Sequence, residues 1–182
     1  MRLEPLEPRH EKLLWEVAQD ERIWRWMRVR GDESREVFRG WFESTLAAAL
    51  GFATVVDGTP FGHTSYLNVR TDDRVLEIGN TWLAPQAWGT GANVEAKLLL
   101  MEHAFEHEGF LRVEFKTDAK NERARAALVL LPSEFEGVFR KHMLVRGGER
   151  RDSAWYSVID DDWPAVKAAL RDRLAGKAVG ER

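Results

Sequence analysis

The sequence of 182 residues contains no cysteine, which excludes disulfide bonds, thiolate metal sites and a cysteine nucleophile. It also lacks any apolar run close to the roughly 18 residues that a membrane-spanning helix needs. Its first segment, MRLEPLEPRHEK, has no apolar core of the kind found in secretory signal peptides. These absences predict a cytoplasmic protein that does not enter membranes.

Positive charge is not in excess either, since 27 lysine and arginine residues stand against 30 aspartate and glutamate residues, a net charge of −3. Affinity for nucleic acid normally requires a basic surface, so no nucleic-acid partner is expected. The hydrophobic fraction of 44% and the charged fraction of 31% are ordinary for a globular protein, and the length suits one domain with a sizeable core. Only Tyr66 and Tyr156 can supply a phenol.

Hydrophobic periodicity and turn residues predict an α+β fold along the whole chain. Strands are predicted at residues 2–8, 52–56, 61–69, 75–83, 110–117, 135–145 and 150–159. Helices are predicted at residues 10–19, 21–27, about 34–50 and 121–131, and two more are predicted to begin at residue 91 and near residue 161. Ser34 or Asp32 is the predicted cap of the helix at about 34–50. We expect a mixed, mostly antiparallel central sheet flanked by helices. A single domain is assigned to residues 1–175 and a flexible tail to residues 176–182.

A loop with two glycines joins the strand at 75–83 to the following helix and reads Gln86-Ala-Trp-Gly89-Thr-Gly91-Ala92. A strand that ends in such a loop and opens a helix presents unpaired backbone N–H groups and the positive end of the helix dipole. The dipole alone favours a phosphate by about 0.3–1 kcal/mol. The alternative, an ordinary connection whose glycines only make the turn, has equal weight on spacing alone. The phosphate motifs GxxxxGK[ST] and GxGxxG are both absent.

Several segments together resemble a known family. Gln86, Gly89 and Gly91 match the (Q/R)xxGx(G/A) acyl-CoA signature of the GNAT superfamily of N-acetyltransferases. The segments EIGNTWL (77–83), TGANVEAK (90–97), VEFKTDAKNERA (113–124), FEGVFRKHM (135–143) and RDSAWYS (151–157) resemble its RimJ/RimL-like branch, often called ribosomal-protein N-acetyltransferases. The similarity is dense from about residue 75 to residue 163.

The resemblance implies a GNAT-like fold and an acetyl-CoA-dependent N-acetyltransferase without a metal. Such an enzyme moves an acetyl group to a primary amine by direct attack in a ternary complex. The acceptor would be a protein N-terminus, such as that of a ribosomal protein, or a small amine, and the net charge of −3 mildly favours a cationic one. The coenzyme-binding residues that the resemblance implies are Trp82, Leu83, Gln86, Trp88, Gly89, Thr90, Gly91, Ala92, Asn93 and Asn121.

Asn121 matches the asparagine of the family's NxxS pattern, although Ala124 stands at the serine position. Its alternative role is that of a helix N-cap. Arg125, one residue further on, could meet a phosphate in place of the serine. A solvated helix arginine is the alternative for Arg125.

Glu77 lies in an otherwise apolar strand, where a carboxylate has to reach water or a partner. Family members often use a strand-borne glutamate near this position to take the proton of the amine, so the resemblance assigns Glu77 as the general base. A cross-strand or solvent-facing glutamate is an alternative of equal weight. Gly79-Asn80 interrupts the same strand and predicts a bulge or a close backbone approach. The resemblance implies a splay here that admits the pantetheine arm. Backbone N–H groups near Trp82 and Leu83 would hold the thioester carbonyl.

A general acid is harder to assign, because the tyrosine that relatives often carry seven residues after the asparagine is Leu128 here. Tyr156, in the RDSAWYS segment, is the candidate that would protonate the leaving thiolate. The residues His103, Glu106 and His107 form an HxxEH zinc motif. Their helical face is predicted to face solvent, so we favour surface charge over a metal site.

Two other classes of function stay open. A non-catalytic acyl-CoA-binding or sensing module would keep the coenzyme site without the chemistry, as the missing tyrosine and serine allow. A protein-interaction scaffold would bind no coenzyme at all. Strand edges and tryptophan-rich helices also make a homodimer feasible.

Overall fold

The computed structural model describes residues 1–180, in which seven strands form one sheet. The strands are β1 (Arg2–Pro5), β2 (Gly51–Val56), β3 (Thr59–Arg70), β4 (Val75–Leu83), β5 (Arg112–Asp118), β6 (Glu134–Val145) and β7 (Glu149–Ile159). Their order across the sheet is β1-β2-β3-β4-β5-β7-β6, and every neighbouring pair is antiparallel except β4 and β5. The predicted mixed, mostly antiparallel sheet is confirmed.

Six α-helices accompany the sheet within these residues. They are α1 (Glu11–Val17), α2 (Glu21–Trp24), α3 (Arg35–Ala47), α4 (Ala92–Glu102), α5 (Glu122–Val129) and α6 (Trp163–Gly180). The last helix runs through part of the predicted tail, and residues 181–182 lie outside the described residues, so the flexible tail stays a prediction. None of the helices described is long and apolar enough to cross a bilayer.

Local signals account for several element boundaries. Ser34, rather than Asp32, caps α3, because its Oγ accepts a hydrogen bond from the backbone N–H of Val37 at 3.1 Å. The β2–β3 hairpin turns at Asp57 and Gly58, whose φ angles of +48° and +80° are those of a type I′ turn. Both features follow from residue types that lie next to each other in the sequence.

Two apolar cores lie on opposite faces of the sheet. On one face, α4 and α6 pack on the centre of the sheet, and the predicted helix side with Val94, Leu98 and Met101 is buried there. On the other face, α1, α2 and α3 cover β2 and β4 with a cluster of aromatic rings that includes Trp24, Phe38, Trp41 and Trp82. Strand β4 contributes to both cores, with Leu76 and Ile78 in the first and Trp82 in the second.

Candidate active site

An opening between β4 and β5 is the central feature of the site. The two strands pair in parallel at only three positions, of which Glu77–Glu114 is the last. Beyond it, β4 continues to Leu83 and β5 to Asp118 without further pairing between them in the part of the chain described. Backbone amides and carbonyls along this gap can therefore pair with another extended chain.

A β-bulge in β4 lies beside the opening. The pairing with β3 changes register between His63 and Ser65, so β4 carries an extra residue there. Asn80 occupies the bulge with a φ of +50°. Its backbone carbonyl accepts a hydrogen bond from His63 Nδ1 at 2.9 Å, and its Oδ1 accepts one from Trp41 Nε1 at 3.2 Å. The bulge predicted at Gly79-Asn80 is confirmed.

The glycine loop connects β4 to α4. Pro85–Ala87 form a 3₁₀ turn, and Gly89 and Gly91 follow with φ angles of +80° and +114°. Both angles lie in the left-handed region, which favours glycine. Thr90 Oγ1 accepts a hydrogen bond from the backbone N–H of Ala92 at 3.2 Å. The other first-turn amides of α4 have no acceptor within the helix, as at any helix N-terminus. A glycine loop that ends in a helix N-terminus can cradle a phosphate group.

Trp88 anchors this loop. Its Nε1 donates to the backbone carbonyl of Leu83 at 2.7 Å. Two guanidinium groups contact its ring, with Arg22 of α2 at 5.0 Å and Arg123 of α5 at 4.2 Å from the ring centroid. Arg123 thus brings a positive charge to the loop, whereas the sequence prediction named Arg125. Residues two apart on a helix point in different directions, and only the packing of α5 shows which of them meets the loop.

Arg125 is bound to β7 and to the start of α5. Its Nε donates to the Tyr156 hydroxyl at 3.1 Å and its Nη1 to the backbone carbonyl of Ala119 at 3.2 Å. A solvated helix arginine does not describe this geometry, and a phosphate contact of Arg125 stays a prediction. Tyr156 is 1% exposed and pairs across the ladder with Phe115. Its oxygen accepts a hydrogen bond from Arg125, and no acceptor for its own hydrogen lies within hydrogen-bond distance among residues 1–180.

Glu77 lies at the last β4–β5 pair before the opening and is buried, with 1% of its surface exposed. Its Oε2 accepts hydrogen bonds from Lys116 Nζ on β5 and Asn68 Nδ2 on β3, both at 2.7 Å. The solvent-facing alternative is therefore wrong, and cross-strand pairing is present. Oε1 lies beside Gly79, where a Cβ would stand only 2.9 Å from it. A carboxylate with one oxygen engaged can still accept a proton through the other.

The two predicted catalytic side chains lie on opposite faces of the sheet. Leu76, Ile78 and Tyr156 share one core, and successive residues of a strand point to opposite faces. Glu77 therefore projects to the face covered by α1, α2 and α3, while Tyr156 projects to the face covered by α4 and α6. A reacting group held in the opening would have the carboxylate on one side and the phenol on the other.

The remaining predicted coenzyme residues differ in accessibility. Gln86 is exposed and Asn93 is half-buried at the start of α4. Trp82 and Leu83 are 4% and 8% exposed and belong to the apolar clusters. Asn121 caps α5, because its Oδ1 accepts the N–H of Ala124 at 3.1 Å. The N-cap alternative for Asn121 is confirmed.

Lys97 belongs to the site although the sequence analysis passed over it. Its Nζ donates to Asn93 Oδ1 at 3.0 Å and lies 5.9 Å from the ring centroid of Phe115, the first β5 residue beyond the last pair. The side chain is 9% exposed, has no carboxylate within 4 Å among residues 1–180, and its burial lowers its pKa to about 8. A signal was present in the spacing, since Lys97 follows Val94 by three residues and precedes Met101 by four, on the buried side of the helix.

The HxxEH segment has a structural role. His103–His107 form one π-helical turn at the end of α4. Glu106 accepts hydrogen bonds from Trp163 Nε1 at 2.6 Å and Lys167 Nζ at 2.7 Å, which tie this turn to α6. Among the described residues, no group of three or more His, Asp or Glu side chains could hold a metal ion.

Comparison with known proteins adds independent findings. Residues 1–130 match the model of a family described as the acetyltransferase (GNAT) domain. A GCN5-related N-acetyltransferase from Brucella melitensis is 31% identical with a TM-score of 0.89, over 95% of this chain and 81% of that chain. A protein from T. thermophilus that is classed as an acetyltransferase is 36% identical with a TM-score of 0.88, over 95% and 93%.

More distant likeness extends to a protein in complex with a coenzyme derivative. Mycobacterium smegmatis RimJ in complex with CoA-disulfide is 19% identical with a TM-score of 0.79, over 96% of this chain and 88% of that chain. This likeness is one of fold. A search of curated proteins returns no match.

Proposed function

Because this chain belongs to the GNAT acetyltransferase family, we propose that it is an N-acetyltransferase acting on a primary amine by direct attack in a ternary complex. Membership of the family accounts for acetyl-CoA as the donor and for an amine as the acceptor. The chain has no cysteine on which an acetyl group could be carried as a thioester, so transfer in one step is the simpler route.

The single observation that carries this proposal is the opening between β4 and β5 beside the glycine loop. An extended pantetheine arm, with its amide groups, fits strand edges that have no partner beyond Glu77. The diphosphate fits the loop at Gly89 and Gly91 and the N-terminus of α4, with Arg123 close by as a positive charge. The thioester would then lie near the bulge at Asn80.

The reaction needs a neutral amine, because an ammonium has no lone pair. Glu77 would accept the proton of the incoming ammonium at Oε1, directly or through a water, while Lys116 and Asn68 hold Oε2. The amine nitrogen forms a bond to the carbonyl carbon, and the carbon–sulfur bond breaks with its electron pair leaving on sulfur. Tyr156 would give its hydroxyl hydrogen to that thiolate while Arg125 holds the phenol oxygen. The nitrogen, which carries a surplus proton once it is bonded to carbon, would release that proton to water, and the phenolate would take a proton back from water.

We further propose that the chain belongs to the RimJ/RimL-like branch and that its acceptor is a ribosomal-protein N-terminus. Its support is the run of shared segments between residues 75 and 163. A small amine remains the alternative acceptor. A cytoplasmic location and a homodimer stay predictions.

A non-catalytic coenzyme-binding module is the second candidate, and one observation favours it. Leu128, which is 6% exposed within the core, stands where relatives often carry a tyrosine, and Ala124 replaces the serine. Such a protein would bind acetyl-CoA at the same loop and transfer nothing. Turnover separates the two candidates, and binding alone does not.

Calorimetric titration with acetyl-CoA, followed by a thiol-release assay with a panel of primary amines, tests both candidates. Gly89→Val is the informative variant, because a Cβ there meets none of the described atoms within 4 Å and would occupy the space of the cradle. Gly58→Val is the matched control, since Gly58 has the same φ of +80° and equally open surroundings but lies in the β2–β3 turn. We expect Gly89→Val to weaken binding by about tenfold or more and Gly58→Val to leave it unchanged.

Each outcome decides between the candidates. Tight binding with thiol release supports the transferase. Binding without thiol release from any amine favours the non-catalytic module. No binding by the unsubstituted protein would overturn both, and an equal loss in the two variants would assign the effect to backbone strain instead of the cradle.

A further inference from the structure

A buried arginine with no hydrogen-bond or ion-pair partner among residues 1–180 lies on the same face of the sheet as Glu77. Arg151 of β7 is 7% exposed, and its Nε is buried without a hydrogen-bond partner in the described part of the chain. No carboxylate of residues 1–180 lies within 4 Å of this guanidinium. Buried charges in proteins are normally paired and hydrogen-bonded, because an unpaired one is costly. Arg151 can therefore accept an anion as its partner.

The charges around Arg151 do not replace that anion. Burial lowers the pKa of Arg151, and the charges of Arg146 and Arg28 lower it as well. The charges of Asp118 and Glu77 raise it. Both carboxylates are already engaged, since Asp118 accepts the N–H of a residue in the following turn and Glu77 is held by its lysine and asparagine. The surroundings leave a net positive charge inside the protein.

Arg146, whose charge acts on Arg151, also lines a surface cleft of about 450 Å³ between α2 and the β6–β7 turn. Four arginines line the cleft against two glutamates: Arg22, Arg25, Arg30 and Arg146. All of them except Arg25 pair with a carboxylate of the described chain, at 2.5–3.0 Å. The Arg25 guanidinium lies 5.1 Å from the ring centroid of Trp26. Within residues 1–180, Arg25 is therefore the arginine of this cleft that has no carboxylate partner.

The positions of Glu77 and Arg151 set the length of a molecule that would reach both. Lys116, which binds Glu77, lies opposite Trp155 of β7, and Trp155 is four residues from Arg151 on the same face. Four residues of extended strand span about 13 Å, and the arginine side chain shortens the gap, so the two groups are on the order of 10 Å apart. An α-amino acid, whose amine and carboxylate share one carbon, is too short for this span.

We propose that the acceptor is an amine joined to a carboxylate or phosphate through a spacer of several atoms, and that Arg151 binds this anion. The inference rests on the proposed acetyltransferase function. The amine would reach Glu77 at the opening while the anion neutralises Arg151, which a planar guanidinium achieves with two parallel hydrogen bonds. A polyamine or another purely cationic acceptor would leave Arg151 uncompensated, so this proposal differs from the cationic acceptor that the net charge of −3 mildly favours.

Three acceptors with the same spacer test this proposal: 6-aminohexanoate, 6-aminohexanamide and 1,6-diaminohexane. We expect kcat/KM for the carboxylate to exceed that for the amide by about 10- to 100-fold, as a charged hydrogen bond in a buried site produces, and the diamine to be the poorest. A fourth acceptor, 6-aminohexyl phosphate, separates a preference for phosphate from one for carboxylate.

Variants assign the preference to Arg151. Arg151→Met should bring the carboxylate and the amide to within about twofold of each other, and Arg151→Lys should keep part of the preference. Arg150→Met is the control, because Arg150 is the exposed neighbour on the opposite face and its loss should leave the ratio unchanged. The ratio is taken within each protein, so a general loss of activity does not alter it.

The outcomes distinguish this inference from the proposed function. A rate with the carboxylate that is equal to or below that with the amide would overturn the inference while the transferase stands, and this comparison needs no variant. A preference that survives Arg151→Met would overturn the role of Arg151. No thiol release with these acceptors or with the wider amine panel would overturn the proposed function and the inference together.

Discussion

Replacing Lys97 by methionine should make the coenzyme-free protein more stable at neutral pH, because Lys97 is a buried cation without a carboxylate. The side chain is 9% exposed, and burial lowers its pKa from 10.5 to about 8. At roughly 1.36 kcal/mol per pKa unit, burying the ammonium costs about 3 kcal/mol. Methionine removes that cost, and losing the hydrogen bond to Asn93 offsets about 1 kcal/mol of it. A net gain of about 2 kcal/mol raises the Tm of a domain of this length by about 4–8 °C.

The gain from Lys97→Met should depend on pH in a defined direction. Below pH 8 the lysine is protonated in the folded and the unfolded protein, so the full cost is present. Between pH 8 and pH 10.5 the unfolded chain holds the proton and the folded protein does not, so the unsubstituted protein gains stability as the pH rises. The advantage of the variant should therefore shrink over that range.

Urea unfolding at pH 7 and at pH 10 measures this difference. Lys12→Met is the control, because Lys12 is an exposed lysine of α1 and its replacement should change the free energy of unfolding by no more than about 0.5 kcal/mol. The claim that Lys97 is an uncompensated cation would be refuted if Lys97→Met were less stable than the unsubstituted protein at pH 7. It would also be refuted if the variant gained the same free energy of unfolding at both pH values.

An anionic ligand at the glycine loop should relieve the cost of burying Lys97. Lys97 is bonded to Asn93, in the first turn of α4, and that turn is proposed to meet the diphosphate. Bound acetyl-CoA should therefore raise the pKa of Lys97, and binding at pH 8 should take up protons. Calorimetric titration in two buffers of different ionisation enthalpy measures this uptake. Lys97→Met should abolish it, and Lys12→Met should not.

Two further substitutions probe the other face of the sheet. Burial lowers the pKa of His63 to about 4, so between pH 6.5 and pH 4 the unfolded chain binds a proton that the folded protein does not, and up to about 3 kcal/mol of stability is lost as the pH falls. His63→Asn, which can still donate to Asn80, should lose less on urea unfolding at pH 4.5 relative to pH 7, and equal losses would contradict this. Glu77→Gln should lower kcat and remove the acidic limb of the pH–rate profile, because an amide cannot accept the proton of the amine, and an unchanged profile would reject Glu77 as the base.

Elements whose signals are local could be predicted from the sequence. The strand at 75–83 has the same bounds in the structure as in the prediction. It ends there because Pro85 has no N–H to donate to a neighbouring strand and restrains Ala84 before it. Asp57-Gly58 supplies the two positive φ angles that a tight hairpin needs, and the Ser34 side chain caps the N-terminus of α3. In each case the residues that decide the structure are neighbours in the chain, so no knowledge of the packing is required.

The missed features depend on how distant elements pack. Glu77 obtains its partners from β3 and β5, nine and 39 residues away in sequence, so its burial could not be separated from solvent exposure beforehand. Arg123, rather than Arg125, meets Trp88, because α5 packs on the glycine loop in one orientation. Lys97 has a usable signal in its spacing, but a lysine within a helix is usually solvated, so spacing alone does not predict its burial.

The two buried cations without carboxylates lie on opposite faces of the sheet, and this arrangement bears on the reaction itself. Lys97 belongs to the face covered by α4, where the diphosphate is proposed to bind, and Arg151 to the face of Glu77, where the acceptor is proposed to bind. Each cation costs folding free energy until an anion arrives, so each ligand should stabilise the protein by more than its apolar contacts alone provide. Because the sheet separates the two charges, neither ligand can neutralise both of them. Full compensation requires coenzyme and acceptor to be bound together, which is the condition for direct transfer in a ternary complex.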